Sequence, residues 1–165
     1  MPSSPPAPLP SPAALESYLH EHIPITRAMQ VRVVEIGPEH ARLTAPLAPN
    51  INHRETVFGG SAAALATLAA WTLLHARLGA AGLPSRLVIQ RNSMEFLAPI
   101  PADFGAIAQL ADPAAWAQFE QMLRRKGRAR ISTVATLECG GDEVGRFEGE
   151  FVAVATADRV TAGPT

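Results

Sequence analysis

Residues 50–71 read NINHRETVFGGSAAALATLAAW, and the two halves of this stretch follow different chemistry. Up to Gly60 it is crowded with amide, imidazole, carboxylate and hydroxyl groups; from Ser61 it is alanine, leucine and tryptophan with almost no polar face. The apolar run from Ser61 to Leu74 falls short of the ~20 residues that cross a bilayer and ends in His75 and Arg77, which predicts a helix buried in protein and no membrane span. That helix is expected from Ser61 to about Leu78, with Gly79 and Gly82 as its stop. A helix apolar on every side needs cover on every side, which a curved antiparallel sheet wrapped around it supplies.

The flanking sequence provides the strands. Gln30–Ile36 and Ala41–Leu47 alternate around Gly37-Pro38-Glu39-His40 and predict a hairpin. In the third strand Leu87 and Ile89 share one face, but Met94 and Phe96 have the opposite parity, so a bulge is expected within Gln90–Ser93. Asp103–Leu110 predicts a fourth strand, and Asp112-Pro113 starts an amphipathic helix carrying Trp116, Phe119, Met122 and Leu123, with Gly127 as its stop. Arg130–Glu138 and Val144–Ala155 alternate around Cys139-Gly140-Gly141-Asp142, a second hairpin. Ser11 and Pro12 begin a further helix with Leu15, Tyr18, Leu19 and Ile23 on one side.

Residues 1–10 hold five prolines and little to bury, which predicts a flexible tail. The domain is expected over 11–157 with its N-terminal helix, and a second flexible tail over 158–165. At 165 residues, 47% apolar and 18% charged with net charge −1, the chain fits one α+β domain and neither a disordered segment nor a strongly basic nucleic-acid binder. The single cysteine, Cys139, excludes an internal disulfide and a cysteine-rich zinc site. The five histidines show no metal-ligand spacing, so no metal is expected. The N-terminus lacks the basic and apolar parts of a secretory signal, and the expected compartment is the cytoplasm.

The stretch MQVRVVEIGPEHARLTAPLAPNINHRETVFGGS (29–61), followed by MEFLAPI (94–100), resembles the thioesterase family known as the YiiD C-terminal domain, a hotdog-fold group. The resemblance covers roughly residues 25–155, with Asn50–Ser61 its specific part. It implies a homodimer, or a dimer of such dimers, whose sheets join edge to edge and whose active sites lie at the subunit interface. The substrates implied are acyl groups carried as thioesters on coenzyme A or on the phosphopantetheine of acyl carrier protein, with no separate cofactor. Many relatives carry asparagine, then glycine, then histidine-glycine-glycine. Here Asn52 matches the asparagine, Glu55 stands where glycine is usual, Phe58 replaces the histidine, and Gly59 and Gly60 match the pair. Thr67 occupies the helix position where many relatives carry a catalytic carboxylate.

The first N–H groups of a helix lack intrahelical acceptors, and the aligned peptide dipoles place about half a positive charge there. With no side chains on Gly59 and Gly60, a thioester carbonyl could approach the Gly60 and Ser61 amides closely enough for them to hold its oxygen. Asn52 could polarise the same carbonyl. His53 could act as general base, Glu55 could stand in for the missing helix acid, and Thr67 could orient water or bond back to its own helix. Asn50 and Phe58 complete the expected wall. Arg124, Arg125 and Arg128, in one basic run with Lys126 and Arg130, could meet coenzyme phosphates or the acidic face of a carrier protein, or simply be a solvated helix end.

Thioester hydrolysis is the leading expectation. Decarboxylation of a malonyl thioester needs the same oxyanion donors but no carboxylate base, and a non-catalytic module that holds acyl thioesters needs less still. Nucleic-acid binding lacks an aromatic-basic motif.

Overall fold

The computed structural model describes residues 5–156. The elements run α1 (Pro12–His22), α2 (Pro24–Ala28), β1 (Arg32–Ile36), β2 (His40–Ala45), α3 (Gly59–Ala80), β3 (Ser85–Phe96), β4 (Phe104–Leu110), α4 (Ala115–Lys126), β5 (Arg128–Cys139) and β6 (Asp142–Ala155). All strands join one antiparallel sheet in the order β1-β2-β4-β5-β6-β3. The expected alternations therefore become strands, and the unforeseen helical pieces are the single turn α2, seeded by Pro24 at its first position, and a 3-10 turn at Ala48–Asn50.

Contacts from α3 reach β2, β4, β5, β6 and β3, five neighbouring strands. At ~4.8 Å between strands these five span roughly 19 Å, whereas a helix with its side chains is about 10–12 Å across. The sheet can touch α3 along its whole width only by curling around it. Leu65, Ala66, Ala69, Ala70, Leu73 and Leu74 are wholly buried in that concavity. Alanine at half of these positions lets the strands come close, while Leu43, Leu137, Phe147 and Phe151 fill the space from the sheet side.

The helix starts two residues earlier than expected. Gly59 and Gly60 form its first turn, Phe58 is the N-cap, and the stop falls after Ala80, where Gly82 takes φ +66° and Leu83 N–H donates to the Leu78 carbonyl at 3.0 Å. Glycine is a poor helix interior residue, so Gly59 and Gly60 looked like loop; at the first turn their cost is small, because the eleven buried residues that follow fix the helix.

β3 carries the expected bulge, with its register shifting between Ile89 and Arg91. The Cys139–Asp142 turn is a two-residue hairpin in which Gly140 and Gly141 both have positive φ. Of the two sheet edges, β1 is covered by α1, whose Glu16 carboxylate accepts the Val33 N–H at 3.0 Å. β3, twelve residues long, is the other. Val88 and Phe96 on this strand and Leu97 just beyond it are 49%, 54% and 41% exposed.

Residues 5–10 have neither helix nor strand, yet Ala7 N–H donates to the Ala80 carbonyl at 3.0 Å and Leu9 packs on the core. The first four residues, residue 157 and the expected tail 158–165 lie outside the described part. Among the described residues no helix is long and apolar enough to cross a membrane.

Candidate active site at the start of the central helix

The loop before α3 is held at both ends. Ile51 and Val57 form an isolated antiparallel bridge, Val57 N–H donates to the Ile100 carbonyl at 2.8 Å, and Phe58 N–H donates to the Asn50 carbonyl at 2.7 Å. Between these anchors the Asn52 side chain closes the loop on itself. Its amide donates to the Thr56 hydroxyl at 3.0 Å and the Val57 carbonyl at 3.3 Å, and its oxygen accepts the N–H groups of Arg54 at 2.8 Å and Thr56 at 3.2 Å. Both amide hydrogens are thereby used inside the loop. Asn52 thus shapes the loop, and the carbonyl-polarising role expected for it has no free donor.

Asn50 is also structural. At 2% exposure it lies beneath the surface, its amide donating to the carbonyls of Met29 at 3.0 Å and Pro46 at 2.8 Å. It cannot line a substrate wall from there. Glu55 is exposed with φ +61°, a left-handed conformation that explains why glycine is usual at this position in the resembling proteins. His53 stands beside it, exposed on the same loop.

At the helix start the donors are distributed differently from the expectation. Ser61 N–H bends back to the Phe58 carbonyl at 2.9 Å, which Ala62 N–H shares at 3.1 Å. Ser61 is thus removed as an oxyanion donor. Gly59 and Gly60 N–H have no acceptor among the described residues, so the open pair lies one residue earlier. Two exposed rings flank it. A Cβ on Gly60 would meet the Phe58 ring at 2.4 Å, and one on Gly59 would meet the Phe96 ring at 3.5 Å. Phe96 was not foreseen as a site residue; its parity flip across the bulge is the signal that turns it toward α3.

Along α3, Ala63, Ala64, Thr67 and Trp71 are only partly buried, on the side the sheet leaves open. The Thr67 hydroxyl donates to the Ala63 carbonyl at 2.9 Å, the back-bonded alternative of the sequence expectation, and α3 carries no acidic residue. Thr67 keeps only acceptor capacity for a water. Among the described residues no three His, Cys, Asp or Glu side chains are placed to hold a metal ion.

The basic run lies elsewhere. Arg124 donates to the Ala81 carbonyl at 3.0 Å, at the far end of α3, and to Glu120. A helix of 22 residues is about 33 Å long at ~1.5 Å per residue, so Arg124 and its neighbours Arg125 and Arg128 cannot line the same chain's Gly59–Gly60 site.

A single antiparallel sheet curled around one long helix is the arrangement of the hotdog class of α+β proteins. The chain belongs to the family described as putative thioesterase (yiiD_Cterm), whose profile matches residues 12–155. Among solved structures it is similar to a protein of unknown function from Chlorobaculum tepidum TLS, at 27% identity and TM-score 0.83 over 87% of this chain and 94% of that one. A putative thioesterase from Shewanella oneidensis is similar at 25% identity and TM-score 0.78, over 87% and 96% of the two chains. A Pseudomonas aeruginosa protein described as a probable thioesterase shares the fold at 23% identity and TM-score 0.75, over 90% and 99%.

Proposed function

We propose that this protein hydrolyses an acyl thioester carried on coenzyme A or acyl carrier protein. The observation that carries this reading is the pair of open amides, Gly59 and Gly60, at the positive end of a buried 22-residue helix. An oxyanion forming on the thioester carbonyl would take both as donors, with no reorganisation of the protein during the reaction. The Phe58 and Phe96 rings flank the pair with apolar surface, and a partner chain that closes the open side would complete the exclusion of water that strengthens those bonds.

The site needs a second copy of the chain. Two β3 edges related by a two-fold axis pair antiparallel and extend the sheet, covering the exposed Phe96 and Leu97 at the end of the strand. In one chain Gly60 is exposed and open to water, and a partner laid along β3 closes that side. Since α3 has no carboxylate, His53 takes the proton from the attacking water, with Glu55 as the alternative on the same loop.

The Thr67 geometry favours a second reading, decarboxylation of a malonyl thioester. With Thr67 bonded to its own helix and no acid on α3, a reaction that needs oxyanion donors but no base fits the same site. Incubation with acyl and malonyl thioesters of both carriers, followed by mass spectrometry, decides. Free acid supports hydrolysis, an acetyl thioester supports decarboxylation, and bound but unchanged substrate shows a non-catalytic module.

A further inference from the structure

The end of the molecule opposite Gly59–Gly60 has a chemistry of its own. β3 and β5 begin there, α4 ends there, and β6 runs between the two strands. Register places Arg86 of β3 directly across from Val154 of β6, and Val154 directly across from Arg128 of β5. The next row inward, Leu87-Ala153-Ala129, is buried against the core, so by strand alternation the Arg86-Val154-Arg128 row faces outward. One step further along that outer face lies Val88-Val152-Arg130.

Two properties make this corner unlike an ordinary solvated strand end. Val154 and Val88 are 40% and 49% exposed, an apolar floor in the outer sheet surface. Arg86 and Arg128, on either side of Val154, make no ion pair among the described residues, and neither do Arg125 and Lys126 at the adjoining end of α4; Arg130 is already held by Glu150 at 3.6 Å. Four unpaired cations thus share one corner of a protein whose formal net charge is −1. Sequence alone showed only the run around α4; pairing through β6 adds Arg86 and the valines.

The dimensions select an occupant. Arg86 and Arg128 are two strand spacings apart, about 9.6 Å, and an α-helix with its side chains is about 10–12 Å wide. A helix laid on Val154 meets an arginine on each flank, and it binds if its flanks are acidic and its underside apolar. We propose that this corner docks an acidic amphipathic helix of the acyl carrier protein that delivers the thioester. This rests on the thioester-site reading above. With β3 edges paired antiparallel, the start of one strand lies beside the end of its partner's, so the docked carrier stands next to the partner's helix start instead of ~33 Å from the site in its own chain.

The test compares wild type with Arg86→Glu/Arg128→Glu and with Val154→Asp, all at exposed positions, with thermal melts to confirm folding. The same acyl group is presented on holo acyl carrier protein and on coenzyme A. For the carrier substrate KM rises at least ~10-fold in both variants with kcat within ~2-fold, and both constants for the coenzyme A substrate stay within ~2-fold. An unchanged carrier KM overturns the docking surface, and so does an equal rise for coenzyme A, which would make the corner a phosphate site. Should no thioester be turned over, the catalytic reading fails, and calorimetric titration with holo acyl carrier protein still decides the surface. Binding to wild type that the double variant loses supports it. No binding, unchanged binding in the variant, or tighter and equally sensitive binding of a single-stranded RNA oligomer overturns it.

Discussion

The Asn52 side chain clasps Thr56 from both sides, donating to its hydroxyl at 3.0 Å and accepting its N–H at 3.2 Å. This five-residue ring fixes the path of the chain into the Phe58 cap and thereby the direction in which the Gly59 and Gly60 amides point. Asn52 acts on the site through the loop, within which both of its amide hydrogens are held.

Replacing Asn52 with alanine removes both donations, the two N–H acceptances and the contact from the Thr56 hydroxyl at once. The expected result is a loss of about 1–3 kcal/mol of stability, from partly buried groups left without partners, together with reduced activity. Asn52→Asp keeps the two acceptances and is expected to retain more stability than alanine. Urea denaturation checks both, and an unchanged midpoint for Asn52→Ala would show that the loop holds without the ring.

Gly60→Ala separates folding from chemistry. Alanine is favoured over glycine in a helix interior by roughly 0.5–1 kcal/mol and by less at this first turn, and the Phe58 ring that its methyl would strike is exposed and free to swing away. Stability is expected to hold or rise, while the methyl and displaced ring obstruct the amide and turnover falls at least ~10-fold. Gly59→Ala, whose methyl meets Phe96 only at ordinary contact distance, is expected to cost less. Equal effects of the two substitutions on kcat would contradict the assignment.

Thr67→Val tests the helix position that carries an acid in many similar proteins. Because the hydroxyl is bonded to the Ala63 carbonyl, its removal is expected to leave kcat within ~3-fold. A fall beyond ~10-fold would mean that Thr67 holds the reacting water.

His75 makes stability depend on pH. Its ring stacks on Trp71 at 4.5 Å and meets Tyr18 at 4.6 Å in a tilted pair, and burial first, then the nearby His22 charge, lowers its pKa from the ordinary value of 6.5. A lowered folded-state pKa means that the unfolded chain binds the proton more tightly. Full stability is therefore present above about 6.5 and is lost as pH falls from there toward the lowered value. Thermal melts between neutral pH and pH 5 are expected to show this loss in wild type and a smaller one in His75→Gln.

Much of the fold was legible because it rests on periodicity. Alternation in β5 and β6, the Gly140-Gly141 turn and the bulge implied by Met94 and Phe96 all depend on neighbours in sequence. The site was harder to read. Nothing in the composition of NINHRET shows that Asn52 turns inward to Thr56 or that Asn50 reaches back to Met29, since both depend on where distant or folded backbone lies. Ser61 was chosen as a donor because the helix was expected to begin there; once the first turn moves to Gly59, Ser61 has a carbonyl within reach. The arginine run was read by its charge alone as a contact for coenzyme phosphates or a carrier protein, or as a solvated helix end; only the length of α3 shows that it lies at the opposite end of the helix from Gly59.

The open amides themselves give the most direct test. In a 15N-resolved NMR titration of the protein with a non-hydrolysable ketone analogue of an acyl-pantetheine thioester, the Gly59 and Gly60 N–H protons are expected to exchange rapidly with solvent when free. On saturation both should move downfield and become protected, while Ser61, already bonded to Phe58, changes little. Gly59 and Gly60 amides that are protected before the analogue is added, or that stay unshifted while it binds, would contradict the account.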